Sequence, residues 1–287
     1  MNNQKLINIK KLRNIKLVVS DLDGTLLSND GVIGQESKEL IKELQNYGVH
    51  FSFATGRLYS AVKQFANELE IDNPIISLDG SYIVDYPTNE TVFESFVKES
   101  YVKKAIMLAE NYLLQIALCH ADAIYYTDSN SVIPKMLDKF GAKYREVDSY
   151  KNYMHNTLEI VYSSDLRESV KYVRDRFEFP FAIGCSTSYF RSHTHEGLYY
   201  LEIRRAGSSK GKALKRLLKH MKIKQHEAVV MGDWYNDISM FELKTMKVAV
   251  ANSVPEIIRM ADYVTKKNNN EDGVASFLKM LLKAKKG

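Results

Sequence analysis

The chain has 287 residues, of which 45% are hydrophobic and 26% charged, so it is long enough for one large domain or two ordinary ones. Its net charge is +5, but residues 1–14 and 280–287 contain four and three basic residues and no acid, which leaves the remainder near neutral. We therefore expect no nucleic-acid partner. No apolar run reaches the ~18 residues of a membrane span or forms a secretory signal. Two cysteines are too few for a disulfide framework, so the expectation is a reduced cytoplasmic protein with no membrane partner.

The first part of the chain alternates short β-branched runs with amphipathic segments. Strands are predicted at IKLVVS, VHFSFAT and PIISLDG, and helices at residues 35–47 and 58–69. Because strands and helices alternate, we expect a parallel sheet with right-handed crossovers. The last part, from a predicted helix at residues 210–221 onward, repeats this pattern with strands at EAVVMGD and MKVAVAN.

The middle of the chain differs, because its predicted strands outnumber its helices and some of them are adjacent. A helix is predicted at residues 132–140 and a strand at FAIG, residues 181–184. The prediction is therefore an α/β protein with a doubly wound parallel-sheet core, formed by residues 1–85 and 205–287. An α+β domain, residues 86–204, is inserted into it.

Four polar clusters fall where the carboxyl ends of parallel strands, or the start of a helix, are expected. They are DLDGT (21–25), ATGR (54–57), SSKGKAL (208–214) and GDWYND (232–237). Ligands of parallel sheets bind beyond the carboxyl ends of the strands, so these clusters are expected to converge. The convergent carboxylates are Asp21, Asp23, Asp233 and Asp237.

Four carboxylates at one edge of a sheet require a cation. Oxygen ligands without histidine or cysteine at ligand spacing favour a hard ion such as Mg2+. Thr55, Gly56, Lys210 and the turn at Gly24 supply hydroxyl, backbone N–H and ammonium donors, which suit a phosphate group. A divalent ion and a lysine that face one phosphate form a site for phosphoryl transfer.

The four clusters, in this order, resemble motifs I to IV of the haloacid dehalogenase superfamily of phosphotransferases. DLDGTLL resembles motif I, ATGR motif II, SKGKAL motif III and GDWYND motif IV. The position of the insert resembles a type IIB cap, and the segment from VAVANS to EDGVA resembles the Cof-type branch. The resemblance covers both core segments, whereas the middle matches by position and rough pattern only.

The resemblance implies a role for each matching residue. Asp21 would be the nucleophile that forms an aspartyl-phosphate, and Asp23 would be the general acid and base. Mg2+ would bind the carboxylates of Asp21 and Asp233 and the backbone carbonyl of Asp23, while Asp237 would hold the waters of the metal. The groups that would bind the phosphoryl oxygens are Thr55, Gly56, Lys210, Asn236 and the backbone N–H of Leu22.

The implied function is Mg2+-dependent hydrolysis of a small phosphorylated metabolite. Sugar phosphates, pyridoxal phosphate, flavin mononucleotide and the phosphorylated riboflavin precursor are the candidate substrates that the resemblance implies. Aspartate at position 23 favours a phosphatase or a phosphomutase over the related ATPases, which have threonine there. A phosphosugar mutase and a phosphometabolite-binding regulator with vestigial catalysis remain as alternatives, and the oligomeric state stays open.

Two features depart from the family pattern. Asp79-Gly80 stands where the family usually has Asn-Gly, and the extra negative charge is expected to alter substrate choice. Trp234, the only tryptophan, lies between two predicted site residues, either to stack on a flat substrate or to pack the loop. His193 and His195 are read as part of a polar hairpin turn rather than a metal site, and His120 as a surface residue.

Overall fold

The computed structural model describes residues 9–127, 142–191 and 197–287, and the statements below refer to these residues. The chain divides into two compact units. The first comprises residues 1–56, 63–92 and 209–287, as far as they are described, and the second comprises residues 57–62 and 93–208. The sequence places the divisions at 85/86 and 204/205 and does not anticipate that residues 57–62 group with the second unit.

The elements alternate between short strands and helices along much of the chain. The strands are β1 (Leu17–Ser20), β2 (His50–Phe53), β3 (Ile75–Ser77), β4 (Tyr82–Val84), β5 (Thr91–Glu94), β6 (Gln115–Cys119), β7 (Ile124–Tyr126), β8 (Tyr144–Glu146), β9 (Glu159–Ser164), β10 (Cys185–Arg191), β11 (Tyr199–Arg205), β12 (Ala228–Gly232), β13 (Met246–Ala249) and β14 (Tyr263–Val264). The helices are α1 (Ile9–Arg13), α2 (Gln35–Asn46), α3 (Tyr59–Glu68), α4 (Glu99–Tyr112), α5 (Arg167–Arg176), α6 (Lys210–His220), α7 (Ile238–Phe241), α8 (Pro255–Met260) and α9 (Gly273–Lys286).

The first unit is built on a parallel sheet with the strand order β14–β13–β12–β1–β2. The central strand β1 pairs with β12 on one side and β2 on the other, so that Ser20 lies opposite both Met231 and Phe53. Every residue of β1 and β12 is buried, as expected for apolar strands covered on both faces. This register brings the segments that follow β1, β2 and β12 to one edge of the sheet.

Amphipathic helices cover the faces of this sheet. Helix α2 buries Leu40, Ile41 and Leu44 along one face, and its end is followed by Gly48 in the left-handed region with φ 72°. Helix α9 contacts α2, and the ion pairs Lys279–Glu36 and Lys286–Glu43 join their exposed sides. The predicted α/β core with a doubly wound parallel sheet is confirmed.

The third predicted strand does not extend the parallel sheet, and here the expectation is wrong. β3 belongs to a separate three-stranded sheet with the order β3–β4–β5, and it pairs antiparallel with β4. Only a single bridge, Ala54 to Ile76, links it to the end of β2. One edge of β3 pairs with β4, because the chain reverses through residues 78–80. The other edge meets only the end of β2, where the Thr55 N–H donates to the Ile76 carbonyl.

The second unit contains a six-stranded sheet with the order β10–β11–β9–β6–β7–β8. Its pairs are antiparallel except for β7 and β8, which are parallel. Helices α4 and α5 contact this sheet, and they share a core with large buried residues such as Tyr162 and Phe177. The predicted α+β character of this region agrees with the structure.

Some details of the second unit differ from the expectation. Residues 181–184 form turns rather than a strand, because Gly184 has φ 91° and the Tyr101 hydroxyl binds both the N–H and the carbonyl of Ile183. Strand β10 begins directly after these residues, at Cys185. His120 is 9% exposed rather than a surface residue. The helix predicted at residues 132–140, and His193 and His195, lie outside the described residues.

No helix in the described part of the chain is both long enough and apolar enough to cross a membrane.

Candidate active site

Asp21 stands directly after the central strand. Its backbone N–H donates to the carbonyl of Met231 at 2.9 Å, so the sheet pairing continues one residue beyond β1 and fixes the Asp21 backbone. The chain then turns tightly, because the N–H groups of Thr25, Leu26 and Leu27 all donate to the carbonyl of Leu22. Gly24 has φ +80°, a conformation that favours glycine. Asp21 is only 5% exposed.

The loop after β12 supplies two more carboxylates. Asp237 accepts hydrogen bonds at Oδ2 from the backbone N–H groups of Asp233 (2.9 Å) and Trp234 (3.1 Å). The short 3-10 helix of residues 235–237 thereby folds back on the strand end. Gly232 allows this approach, because a Cβ atom there would lie 2.6 Å from the carboxyl carbon of Asp237. The loop therefore holds Asp233 rigidly at the edge of the sheet.

Lys210 joins these two segments. It is the first residue of α6 and is fully buried, and the Ser209 hydroxyl caps the helix by accepting from the N–H of Lys212 at 3.3 Å. The Lys210 ammonium donates to Asp21 Oδ1 and to Asp237 Oδ1, both at 2.7 Å. One buried cation thus bridges two buried carboxylates from separate parts of the chain.

Three carboxylates meet at this point. Asp21, Asp233 and Asp237 each place an oxygen within 4.8 Å of the others. The Thr25 hydroxyl donates to Asp233 Oδ1 at 2.7 Å, and a Cβ atom on Gly24 would lie 2.5 Å from Asp233 Oδ2. The DLDGT turn and the GDWYND loop are therefore packed against each other at the acidic cluster.

Burial and neighbouring charges shift the pKa values of Asp21, Asp233 and Lys210. Burial, with the charges of Asp237 and Asp233, raises the pKa of Asp21 well above its usual range despite Lys210. Burial, with Asp237 and Asp23, raises the pKa of Asp233 to about 7 against the hydrogen bond from Thr25. Burial alone would lower the pKa of Lys210, but Asp21 and Asp237 outweigh it and keep the lysine charged. The cluster therefore favours additional positive charge.

The donor set fits a hard divalent cation. It consists of carboxylate oxygens, with no sulfur or imidazole ligand in the described cluster, and such sets suit Mg2+. Asp237 already commits both oxygens to Lys210 and to two backbone N–H groups. Asp21 and Asp233 are therefore the better candidates for direct ligands, with Asp237 holding them in place.

Asp23 occupies a different environment. It is exposed and is not part of the three-carboxylate cluster, although its charge contributes to the raised pKa of both Asp21 and Asp233. An exposed carboxyl two residues from Asp21 can exchange protons with a leaving group or with water.

The predicted phosphate-binding residues lie on loops at the same edge. Thr55 is 1% exposed and follows β2, with its N–H bound to the carbonyl of Ile76 at 3.0 Å. Gly56 is exposed beside it. The Asn236 amide donates to Asp79 Oδ1 at 3.1 Å, so the departure noted at position 79 lies next to a predicted phosphate ligand.

Two asparagines that the sequence interpretation missed support the Asp21 loop. Asn252 donates to the carbonyl of Gly24 at 2.8 Å and accepts from the N–H of Asn269 at 3.0 Å. The amide of Asn269 donates in turn to the carbonyl of Leu27 at 2.9 Å. Asn269 lies in KKNNNEDG, which reads simply as a polar loop, and Asn252 lies in VAVANS, to which the sequence analysis assigns no site role.

Trp234 and Tyr235 remain accessible. They are 45% and 53% exposed, and their rings meet edge to face with centroids 5.3 Å apart. Neither ring is part of the buried core, so both can contact a ligand beside the acidic cluster.

Comparisons with known proteins agree with this architecture. Residues 18–278 match a family model described as haloacid dehalogenase-like hydrolase. Phosphatase YwpJ of Bacillus subtilis is 28% identical over 292 residues, covering 93% of this chain and 100% of that protein. The 5-amino-6-(5-phospho-D-ribitylamino)uracil phosphatase YwtE of the same organism is 27% identical, covering 93% and 98%. The crystal structure of a haloacid dehalogenase-like hydrolase from Bacteroides thetaiotaomicron has a TM-score of 0.82 at 27% identity, covering 92% and 98%.

Proposed function

Because the chain belongs to the haloacid dehalogenase-like hydrolases, we propose that it is a Mg2+-dependent phosphatase of small phosphomonoesters. The observation that carries this proposal is the bridge from Lys210 to Asp21 and Asp237, with Asp233 in the same buried cluster. Hydrolysis of phosphoric monoesters accounts for a nucleophilic carboxylate, a cation site and a fixed ammonium group at one strand edge.

The first half of the reaction uses Asp21 as the nucleophile. A carboxylate oxygen of Asp21 attacks phosphorus, the bond to the leaving oxygen breaks, and an aspartyl-phosphate forms. Asp23 donates its proton to the leaving oxygen. Lys210 fixes the orientation of the Asp21 carboxylate through the 2.7 Å hydrogen bond and favours its ionised form.

The second half restores the enzyme. Asp23, now ionised, takes a proton from water, and the water oxygen attacks phosphorus. The bond between phosphorus and the Asp21 oxygen breaks, which releases inorganic phosphate and the free carboxylate. Thr55, Gly56, Asn236 and the N–H of Leu22, with Lys210, are proposed to bind the phosphoryl oxygens throughout.

The chain also offers ligands for the metal ion. The carboxylates of Asp21 and Asp233 and the backbone carbonyl of Asp23 would hold Mg2+, and Asp237 would support them. When bound, Mg2+ supplies positive charge that offsets the phosphoryl oxygens and the acidic cluster. The raised pKa values of Asp21 and Asp233 support this assignment, because a divalent ion stabilises the ionised carboxylates.

The second unit is proposed to be an inserted cap domain of type IIB that selects the leaving group. Among the candidate substrates, the riboflavin-precursor phosphate is supported by the relative YwtE, which is a 5-amino-6-(5-phospho-D-ribitylamino)uracil phosphatase. The exposed rings of Trp234 and Tyr235 add support for a substrate that bears a flat ring. Sugar phosphates, pyridoxal phosphate and flavin mononucleotide belong in the same panel.

The test is phosphate release from this panel, with Mg2+ and with a chelator, for wild type, Asp21→Asn and Asp72→Asn. Asp72 is an exposed aspartate at the amino end of β3, so its variant is the matched control. We expect Mg2+-dependent release that Asp21→Asn abolishes and Asp72→Asn retains. Product isomerisation without net release would favour the mutase, and ligand binding without turnover would favour the regulator.

A further inference from the structure

The position of the Lys210 ammonium depends on where helix α6 begins. Lys210 is the first residue of this helix, and its ammonium donates to Asp21 and to Asp237, both at 2.7 Å. A lysine side chain has a flexible four-carbon stem, so it does not by itself fix the distance between the segments that it joins. Other contacts must therefore hold the start of α6 against the loop that carries Asp237.

Ser239 makes one of these contacts. It lies in α7, directly beyond the loop of Asp237, and its hydroxyl oxygen accepts from the backbone N–H of Gly211 at 3.0 Å. Gly211 follows Lys210, and the first N–H groups of a helix have no partner within the helix. Ser239 supplies such a partner from a different segment of the chain, and the hydrogen bond joins the start of α6 to α7.

Gly211 makes a second contact at the same place, because it has no side chain. A Cβ atom on Gly211 would lie 1.9 Å from the carbonyl oxygen of Ser239 and 2.4 Å from its carbonyl carbon. Gly211 lies within the helix and does not have a positive φ, so glycine is needed here for space rather than for backbone conformation. The backbones of α6 and α7 are therefore in close contact directly beside Lys210.

Two links consequently run side by side between the same two segments. The first joins Lys210 to Asp237, and the second joins Gly211 to Ser239. Asp237 is itself fixed, because its other oxygen accepts from two backbone N–H groups of its own loop. The serine side chain is short, whereas the lysine side chain is long and flexible, so the Ser239 link fixes the distance between the segments more tightly.

We propose that Ser239 and Gly211 are positioning residues, which fix the start of α6 so that the Lys210 ammonium faces Asp21 and the phosphoryl group of the substrate. This inference rests on the proposed phosphatase function. Both residues act through Lys210 and do not bind the substrate or the metal. A displaced helix start should then weaken phosphate binding, which uses Lys210. It should leave Mg2+ binding nearly unchanged, because the proposed ligands of Mg2+ lie in other segments.

Ser239→Ala tests the hydrogen bond, and Gly211→Ala tests the close approach of the two backbones. The control is Ser276→Ala, because Ser276 is a partly buried helical serine whose hydroxyl donates to the carbonyl of Gly273 within α9. Calorimetry measures the affinity for inorganic phosphate with saturating Mg2+ and the affinity for Mg2+ alone. Steady-state kinetics with p-nitrophenyl phosphate and urea unfolding are measured on the same variants.

Ser239→Ala should weaken phosphate binding and lower kcat/KM, each by about tenfold, as for partial loss of the hydrogen bond from Lys210 to the phosphate. Gly211→Ala should lower kcat/KM by about a hundredfold, which is the effect of a displacement on the order of 1 Å. Both variants should bind Mg2+ with nearly the affinity of wild type. Ser276→Ala should match wild type in kcat/KM and in both affinities.

A double variant shows whether Ser239 acts through Lys210. In the Lys210→Met background, Ser239→Ala should have no further effect on kcat/KM. The same loss in both backgrounds would overturn the inference. Urea unfolding identifies a Gly211→Ala protein that fails to fold, in which case Ser239→Ala and the double variant decide.

A purely structural role predicts a different pattern. Ser239→Ala would then unfold at a lower urea concentration but bind phosphate and turn over substrate like wild type, and this result would overturn the inference while leaving the phosphatase function intact. Equal losses of phosphate and Mg2+ affinity would also overturn it, because they indicate general damage to the site. If wild type neither binds phosphate nor hydrolyses any phosphomonoester, the proposed function fails and the inference fails with it.

Discussion

Lys210 and Asp21 lie 189 positions apart in the chain, yet the ammonium nitrogen of one is 2.7 Å from a carboxylate oxygen of the other, and both side chains are buried. The same nitrogen is 2.7 Å from Asp237. A buried cation between two carboxylates is expensive to desolvate, so stability alone does not explain it. The arrangement fits a site in which Asp21 must be held ionised and correctly aimed.

Replacing Lys210 by methionine should reduce activity strongly. The change removes the charge that orients Asp21 and is proposed to bind the phosphoryl group, so kcat/KM should fall by about a thousandfold. It also leaves buried carboxylates without their cation, which should lower the free energy of unfolding by about 3 kcal/mol in the absence of metal. Steady-state kinetics and urea unfolding measure the two effects.

The double variant Lys210→Met/Asp21→Asn provides the control for the stability effect. It removes the cation together with one of its buried partners, so it should be more stable than Lys210→Met alone. Equal stability of the two variants would contradict a direct energetic link between Lys210 and Asp21.

The metal-free protein should become less stable as pH rises. Burial raises the pKa of folded Asp233 to about 7, whereas an aspartate in the unfolded chain has a pKa of about 3.9. The folded state therefore binds more protons between these values, and the free energy of unfolding should fall as pH increases from about 4 to about 7. Mg2+ binds the carboxylates in place of protons. It should therefore reduce the loss of folding free energy as pH rises. Urea unfolding at several pH values, with chelator and with Mg2+, measures both slopes.

Asp233→Asn isolates this contribution from those of other groups. The pKa of His120 is lowered by burial, which gives the opposite slope because the unfolded chain then binds the extra proton. The variant should show a smaller decline with chelator and little response to Mg2+. The assignment would be wrong if wild type had the same pH dependence in both buffers.

Asn252 and Asn269 support the loop that follows Asp21 through hydrogen bonds. We therefore expect substitution of Asn252 to affect catalysis rather than folding. Asn252→Asp retains the oxygen that accepts from Asn269, but it loses the amide donor to the Gly24 carbonyl and places a charge against it. We expect kcat to fall by about tenfold while KM and the unfolding midpoint change little.

Asn252→Ala distinguishes the effect of losing the amide donor from the effect of the negative charge that Asn252→Asp introduces. If repulsion at Gly24 displaces the loop, the alanine variant should retain more activity than the aspartate variant. Equal losses in kcat and in stability for both variants would indicate that Asn252 serves only to hold the fold together.

Asp272 should act on stability without affecting chemistry. Although it precedes α9, its carboxylate accepts from the backbone N–H of Ser37 at 3.0 Å and from the Ser37 hydroxyl, at the start of α2. It therefore caps a helix that is distant in sequence, and Asp272→Ala should lower the free energy of unfolding by about 1–2 kcal/mol. Phosphate release below the melting transition should remain at the wild-type level, and a large loss of kcat would contradict this purely structural role.

The convergence of Asp21, Asp233, Asp237 and Lys210 was predictable because each follows a strand end or opens a helix, and parallel strands bring such positions together. The contacts of Asp79 and Asn252 could not be predicted, because they depend on how loops that are distant in sequence pack against each other. The strands likewise include some that the sequence predicts and some that it does not. Apolar β1 and β12 were predicted, whereas β10, with the polar sequence CSTSYFR, was missed, and apolar residues 181–184 form turns. Polar strands and apolar loops are set by tertiary contacts rather than by local pattern.

Trapping the covalent intermediate tests the central claim most directly. Asp23→Asn should retain the Asp21 nucleophile but slow hydrolysis of the aspartyl-phosphate, so the intermediate should accumulate with a reactive aryl phosphate and Mg2+. Rapid acid quench, proteolysis and mass spectrometry then locate the added phosphoryl group. We predict that it lies on Asp21 and is missing from Asp21→Asn/Asp23→Asn. A phosphoryl group on another residue, or active turnover by Asp21→Asn, would contradict the account.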